Sequence, residues 1–105
     1  MFETEEQKER IILVAVATAD GDDTEQSLDE LEELGQTAGA VTVAKVIQNR
    51  EKVHAGTYVG KGKIEEIKNL AISLDADAVV CDDELSPAQY HNLQDALEIK
   101  VIRSE

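Results

Sequence analysis

An unbroken apolar run from Ile11 to Ala17 constrains this chain more than any other sequence feature. A strand with one face in solvent alternates apolar and polar residues, whereas a strand covered on both faces reads as a continuous apolar run. The run has the length of a strand and is far shorter than the roughly 18 apolar residues of a membrane span. The chain is therefore expected to form a sheet with this strand in its interior and with other elements packed against both faces of the sheet.

Strand and helix patterns alternate along the rest of the chain. Apolar residues recur at helical spacing between the predicted strands, and two capping boxes, Ser27 with Glu30 and Ser86 with Gln89, predict where the first and third helices begin. The predicted strands are residues 10–17, 40–48, 77–82 and 99–102, with a short β-prone segment at 57–59. Strands that alternate with helices pair in parallel through right-handed crossovers.

These patterns predict an α/β domain with a small open parallel sheet of about four strands and helices on both faces. The two most apolar strands, 10–17 and 77–82, belong in the middle, which favours the order 2-1-3-4. Such a sheet has a crevice between the carboxyl ends of strands 1 and 3, where doubly wound domains bind ligands. Residues 1–9 are charged and polar, so they are not a secretory signal, and we expect them to be disordered.

Charge is distributed unevenly along the sequence. The formal net charge is −13, which argues against a general nucleic-acid-binding or membrane-binding surface. Segment 43–63 nevertheless holds five basic residues and one acidic residue, a local net charge of +4. Because physiological salt screens charge over about 8 Å, a local basic patch can still attract an anion. The single cysteine, Cys81, excludes an internal disulfide, fits a reducing cytoplasm and is expected to be a small buried side chain.

The sequence Gly60-Lys61-Gly62-Lys63 opens the predicted second helix. Glycines let a ligand approach the backbone closely, and the free N–H groups at a helix start attract anions, so a phosphate of RNA or of a nucleotide is the natural partner. The spacing does not match a Walker A loop. A glycine turn with solvated lysines is the alternative interpretation.

Further candidate residues precede the glycines. The loop before them carries Arg50, Lys52 and His54. Tyr58 is either a stacking ring for an unpaired base or a half-buried packing residue. The predicted phosphate- or RNA-binding residues are Arg50, Lys52, His54, Tyr58, Gly60, Lys61, Gly62 and Lys63.

Acidic residues follow the two central strands. Asp82 and Asp83 come after strand 3, and Asp20 comes after strand 1. Clustered carboxylates are weak candidates for an Mg²⁺ site. Acids placed before a helix, where the helix dipole favours them, are the other interpretation.

Two motifs resemble signatures of the N-terminal domains of HflX-type GTPases. Residues 57–67, TYVGKGKIEEI, resemble the signature TY(I/V)GKGK(V/I)EE(L/I). Residues 82–93, which contain DDELSPAQ and then Asn92-Leu93, resemble (D/N)(D/H/N)ELSP(S/A)Q..NL. Each motif is specific because many of its positions are fixed, and the resemblance extends over about residues 10–103.

The resemblance implies that residues 1–105 are the N-terminal domain of a ribosome-associated GTPase, whose helical linker and GTPase domain lie outside this sequence. HflX-like proteins hydrolyse GTP with Mg²⁺, bind the large ribosomal subunit and split or rescue stalled or stressed ribosomes. The expected partners are therefore ribosomal RNA and the protein's own GTPase domain, in the cytoplasm. GTP and Mg²⁺ are expected in the full-length parent and no cofactor in this fragment, although ATP binding is linked to the domain in some members.

Two other functions stay open at this point. The chain is alternatively a stand-alone Mg²⁺-binding or receiver-like regulatory domain built on Asp82 and Asp83, or a purely structural domain that restrains the GTPase domain. A GxxxxGK[ST] motif in the downstream sequence of the gene would argue against the stand-alone domain.

The chain alone is expected not to hydrolyse GTP, because it contains neither a P-loop nor a recognisable nucleophile set. Phosphate release from GTP by the purified 105-residue chain is compared with a mock preparation. Turnover above the mock level would contradict this expectation.

Overall fold

The apolar run forms the second strand across a parallel sheet. A computed structural model describes residues 8–17, 24–49 and 56–103. Within these ranges the chain forms four strands and three helices, which are β1 (Glu9–Ala17), α1 (Thr24–Thr37), β2 (Ala40–Asn49), α2 (Lys61–Leu74), β3 (Ala78–Cys81), α3 (Pro87–Leu97) and β4 (Lys100–Arg103).

The strands lie in the order β2-β1-β3-β4 and every pair is parallel, so the predicted fold class and strand order are confirmed. β1 pairs with β2 along its whole length, with an irregularity between Ile11 and Ile12, and with β3 from Ile11 to Val14. The residues from Ile11 to Val16 are all buried, as the apolar run predicts.

The two faces of the sheet pack against different helices. Because alternate side chains of a strand point to opposite faces, Leu13 of β1 packs with Leu28 of α1, whereas Ile12 packs in a second cluster with Ile67 of α2 and Leu93 of α3. Each such side chain contributes about 1.5–3 kcal/mol through its burial. This arrangement places one helix on one face and two on the other.

Helix starts were predicted with mixed success. The capping box of α3 is confirmed: Ser86 Oγ accepts from the Gln89 N–H at 3.1 Å, and Gln89 Oε1 accepts from the Ser86 N–H at 3.0 Å. The capping box predicted at Ser27 is wrong, because α1 begins at Thr24. The residues before Ser27 favour helix, and Glu25 complements the helix dipole in the first turn.

Other predictions are settled by the element bounds. Residues 57–59 form a turn with one bridge residue rather than a strand. α1 ends at Thr37, and Gly39, two residues later, has a φ of 93°, the left-handed conformation in which helices commonly stop. In the described part of the chain, no helix combines the length and apolarity needed to cross a membrane. The prediction of disorder for residues 1–9 falls mostly outside the described residues.

Cys81 should react slowly with a thiol reagent in the folded protein. Its side chain is fully buried in β3, and burial, followed by the charges of Asp83 and Asp82, raises the pKa of the thiol to about 12. Because the thiolate is the reactive form, labelling at pH 8 is expected to be at least about a hundredfold slower than in denaturant. A Ser73→Cys variant is the control, since Ser73 is exposed on α2. Equal labelling rates at positions 73 and 81 would contradict the burial of β3.

Candidate nucleic-acid interface

The glycine-lysine sequence forms the amino end of α2. The helix begins at Lys61, and its N-cap residue is Gly60, with φ −73° and ψ 167°. Gly60 has no side chain to accept from the first N–H groups, and no described residue supplies a side-chain cap. These N–H groups point out of the helix and carry its positive dipole, so they form a favourable place for an anion.

Gly62 has no internal packing role among the described residues. A Cβ added there would meet no described atom within 4 Å, and the backbone is not in the left-handed region. A glycine inside a helix costs about 1 kcal/mol relative to alanine. Neither sterics nor backbone conformation explains this cost, whereas close approach of a ligand to the backbone would.

The two lysines differ in how far their charge is already neutralised. Lys61 is exposed and makes no ion pair within the described ranges. Lys63 is less exposed, and its Nζ lies 2.9 Å from Glu66 Oε1. Because an exposed ion pair contributes only about 0–1 kcal/mol, Lys63 can exchange Glu66 for a phosphate, but Lys61 is the stronger candidate. Arg50, Lys52 and His54 lie outside the described residues.

Tyr58 adopts an unusual backbone conformation just before this helix. Its φ is +74°, and the Val59 N–H donates to the Thr57 carbonyl at 2.7 Å. A three-residue turn with positive φ at its centre is a rare and strained γ-turn. A non-glycine residue in such a region costs about 1–3 kcal/mol and persists only when its surroundings hold it there.

The Tyr58 side chain supplies part of that hold. The residue is 1% exposed, and its hydroxyl donates to Asp83 Oδ2 at 2.7 Å and accepts from the Val16 N–H at 3.2 Å. The hydroxyl therefore lies between the carboxyl ends of β1 and β3. The ring is packed inside the protein, which agrees with the packing interpretation of Tyr58 rather than with the stacking one.

Further contacts hold the turn to β2 and α3. The Gly60 N–H donates to Gln48 Oε1 at 2.8 Å, and Asn92 Nδ2 donates to the Gly56 carbonyl at 2.9 Å. Sequence reasoning noted Asn92 only as a position in the second motif, and it missed the roles of both Gln48 and Asn92. For Asn92, its place in the motif was the one available signal.

The acids after β3 form the other side of the crevice. Burial, followed by the charges of Asp83 and Glu30, raises the pKa of Asp82 above its ordinary value. Within the described residues, no group of three or more His, Cys, Asp or Glu side chains is placed to hold a metal ion. Asp20 lies outside these residues, so the three-carboxylate set for Mg²⁺ stays a prediction.

Comparison with known proteins decides the family. The family described as GTP-binding GTPase N-terminal matches residues 25–104. A GTPase HflX from Lacrimispora saccharolytica is 64% identical over 102 residues, which cover 97% of this chain and 24% of that protein. The chain belongs to the HflX family, as its N-terminal domain.

More distant HflX proteins match over the same region. The GTPase HflX of Caldanaerobacter subterraneus subsp. tengcongensis is 41% identical over 97% of this chain and 23% of its own length. The GTPase HflX of Escherichia coli K12 is 33% identical over 97% of this chain and 24% of its own length. The chain thus spans about a quarter of these HflX relatives.

A solved structure shares the fold of this HflX domain. A chain in the crystal structure of the SsGBP and GDP complex superposes with a TM-score of 0.54 and 15% identity. The match covers 90% of this chain and 26% of that chain.

The two sequence motifs of the HflX domain meet at one place. Tyr58 of the first motif bonds to Asp83 of the second, and Gly56, just before the first motif, bonds to Asn92 of the second. The second motif therefore holds the first in position, in addition to starting α3. This contact joins the turn before α2 to the carboxyl ends of the central strands.

Stability should depend on the Tyr58 hydroxyl in a pH-dependent way. Burial first, and then the hydrogen bond to Asp83 and its charge, raise the pKa of Tyr58 well above its usual value of 10.0. The folded chain therefore keeps the proton that the unfolded chain loses above about pH 10, so this group lowers stability as pH rises beyond 10. At pH 8, Tyr58→Phe is expected to cost about 1–3 kcal/mol, because it leaves the buried Val16 N–H without its acceptor.

The free energy of unfolding of the wild type is therefore expected to exceed that of Tyr58→Phe at pH 8, and this difference should decrease as the pH rises above 10. Urea unfolding of the wild type and of Tyr58→Phe is measured from pH 8 to pH 11. Lysine titration affects both proteins alike and cancels in the comparison. A difference that is constant across this range would contradict the burial and bonding of the hydroxyl.

Proposed function

We propose that this domain contacts ribosomal RNA of the large ribosomal subunit through the amino end of α2, as part of a GTPase that splits or rescues stalled or stressed ribosomes. The observation that carries the proposal is the start of α2, where Lys61 and Gly62 are exposed and no described side chain caps the first N–H groups. The RNA phosphate is the ligand that this combination fits best. The proposal extends to Arg50, Lys52 and His54 in the preceding loop.

Electrostatics supports a single point of contact. With a net charge of −13, most of the surface repels a polyanion. Attraction is concentrated in the basic segment 43–63, which holds five of the ten basic residues. A few phosphate contacts give modest affinity with a clear salt dependence. The isolated chain should therefore bind weakly, and in one orientation.

The longer relatives suggest where the chemistry takes place. Proteins named GTPase HflX are about four times as long as this chain. We place GTP, Mg²⁺ and hydrolysis in the remaining part of such a parent protein, and the whole assembly in the cytoplasm with the ribosomes.

One observation favours a purely structural role as a second candidate. Apolar residues of α1, β1, β3 and β4 line a groove of about 280 Å³, and Leu34 in this lining is 67% exposed. A domain that restrains its own GTPase domain would use such a surface. This role predicts that changes at the start of α2 leave ribosome binding unaffected.

Lys61→Glu should weaken association with purified large ribosomal subunits, most strongly at low salt, where screening is least. Removal of one phosphate contact should also lower the slope of log K against log salt by about 0.7–0.9. The measurement is cosedimentation of the 105-residue chain at several salt concentrations. The Lys61→Glu/Lys63→Glu double variant should lose more.

Lys100→Glu is the matched control, because it makes the same charge change at the amino end of β4, where Lys100 pairs with Glu9. Gly62→Ala separates backbone contact from charge. It should stabilise the fold by about 0.5–1 kcal/mol and yet weaken association. If Lys61→Glu binds as tightly as wild type at low salt, the loop is not the RNA contact.

A further inference from the structure

We propose that Tyr58 is a positioning residue, whose hydrogen bond to Asp83 holds the amino end of α2 in the orientation that meets RNA. The inference rests on the proposed function, since it concerns how the same site is presented. It assigns a role to a residue that is almost completely buried.

Only two residues separate Tyr58 from the first residue of α2, and hydrogen bonds hold them in place. Val59 and Gly60, both buried, are the links between Tyr58 and the first residue of α2. The Gly60 N–H is fixed by Gln48, and the Gly60 carbonyl accepts from the Ile64 N–H at 3.0 Å. Only the backbone torsions of Val59 and Gly60 could absorb a change in the conformation of the turn at Tyr58. Such a change is therefore expected to alter the orientation of the helix start.

The strain at Tyr58 shows that this conformation is imposed from outside the turn. A γ-turn with positive φ reverts to a more relaxed backbone unless contacts elsewhere determine it. The contacts that hold the side chain come from β1 and from the residue after β3, which lie 42 and 25 positions away in sequence. The position of the turn is thus fixed by the central strands of the sheet rather than by residues adjacent to it in sequence.

The hydroxyl, rather than the ring, is the informative part of this side chain. A phenylalanine would fill the same apolar space in the core cluster. The phenolic oxygen adds the bond to Asp83, an exposed residue that makes little contribution to packing. A hydrogen bond between a buried turn and a surface carboxylate fixes the orientation of the turn but buries little additional apolar surface. This is the behaviour expected of a positioning contact.

The variants separate orientation from charge and from stability. Tyr58→Phe removes the hydroxyl. Asp83→Ala and Asp83→Asn remove the same charge, but only asparagine keeps an oxygen that can accept from Tyr58. Ile11→Val is the stability control, because it weakens the core on the α1 face, away from the turn.

The first measurement is association of the 105-residue chain with purified large subunits across a salt series. Tyr58→Phe and Asp83→Ala should each weaken association by about ten-fold at unchanged salt slope, as expected for loss of a charge-assisted hydrogen bond with no phosphate contact removed. Asp83→Asn should recover most of that loss, and Ile11→Val should have little effect. Equal binding by Asp83→Ala and Asp83→Asn, or equal effects of Tyr58→Phe and Ile11→Val, would overturn the inference.

The second measurement does not depend on RNA. Amide hydrogen exchange at Gly60 reports whether its bond to Gln48 survives. Exchange should accelerate in Tyr58→Phe and Asp83→Ala but not in Asp83→Asn or Ile11→Val, and unchanged exchange would overturn the inference. If Lys61→Glu leaves association intact, the RNA proposal fails, and exchange alone then decides whether Tyr58 orients the turn.

Discussion

Burial of β1 on both faces is the constraint on which the rest of the structure depends. The strand has parallel neighbours on each side, so each connection must be a crossover rather than a tight turn. Right-handed crossovers then put α1 on one face and α2 and α3 on the other. They also bring the loops that follow each strand to one edge of the sheet. The candidate interface lies at that edge because the connection from β2 to α2 begins there.

At this edge, the domain has filled the place where doubly wound folds usually bind ligands. The Tyr58 hydroxyl bonds to the end of β1 and to Asp83 beyond β3. A ligand at that point would have to break both bonds and expose a buried ring. At the start of α2, Lys61 is exposed and no described side chain occupies the first N–H groups, so a phosphate there would break neither of these bonds. The physical contrast favours the outer surface over the crevice as the place for a phosphate.

The features that the sequence predicted are those with local causes. Apolar periodicity is sufficient for the strand order, and the Ser86–Gln89 box places the start of α3. The start of α1 was misplaced because Ser27 and Glu30 match a capping pattern within a longer helix-favouring stretch. The turn at Tyr58 could not be predicted from local sequence, because the neighbouring residues favour a strand. Its positive φ depends on hydrogen bonds of the side chain to the distant residues Val16 and Asp83. Arg50, Lys52 and His54 stay predictions.

In the proposed complex with RNA, the acidity of the domain would affect the orientation of binding. The pKa of Asp82 is raised by burial and by its acidic neighbours, so negative charge is already crowded after β3. A polyanion gains attraction from the start of α2 and meets repulsion when it approaches this crowded side. Since screening limits both effects to about 8 Å, the approach angle rather than the net charge decides the outcome. Charge placed in this way contributes more to the orientation of a complex than to its affinity. The proposed function therefore requires a rigid turn at Tyr58, because a favourable approach angle is useful only if the start of α2 is held in one orientation.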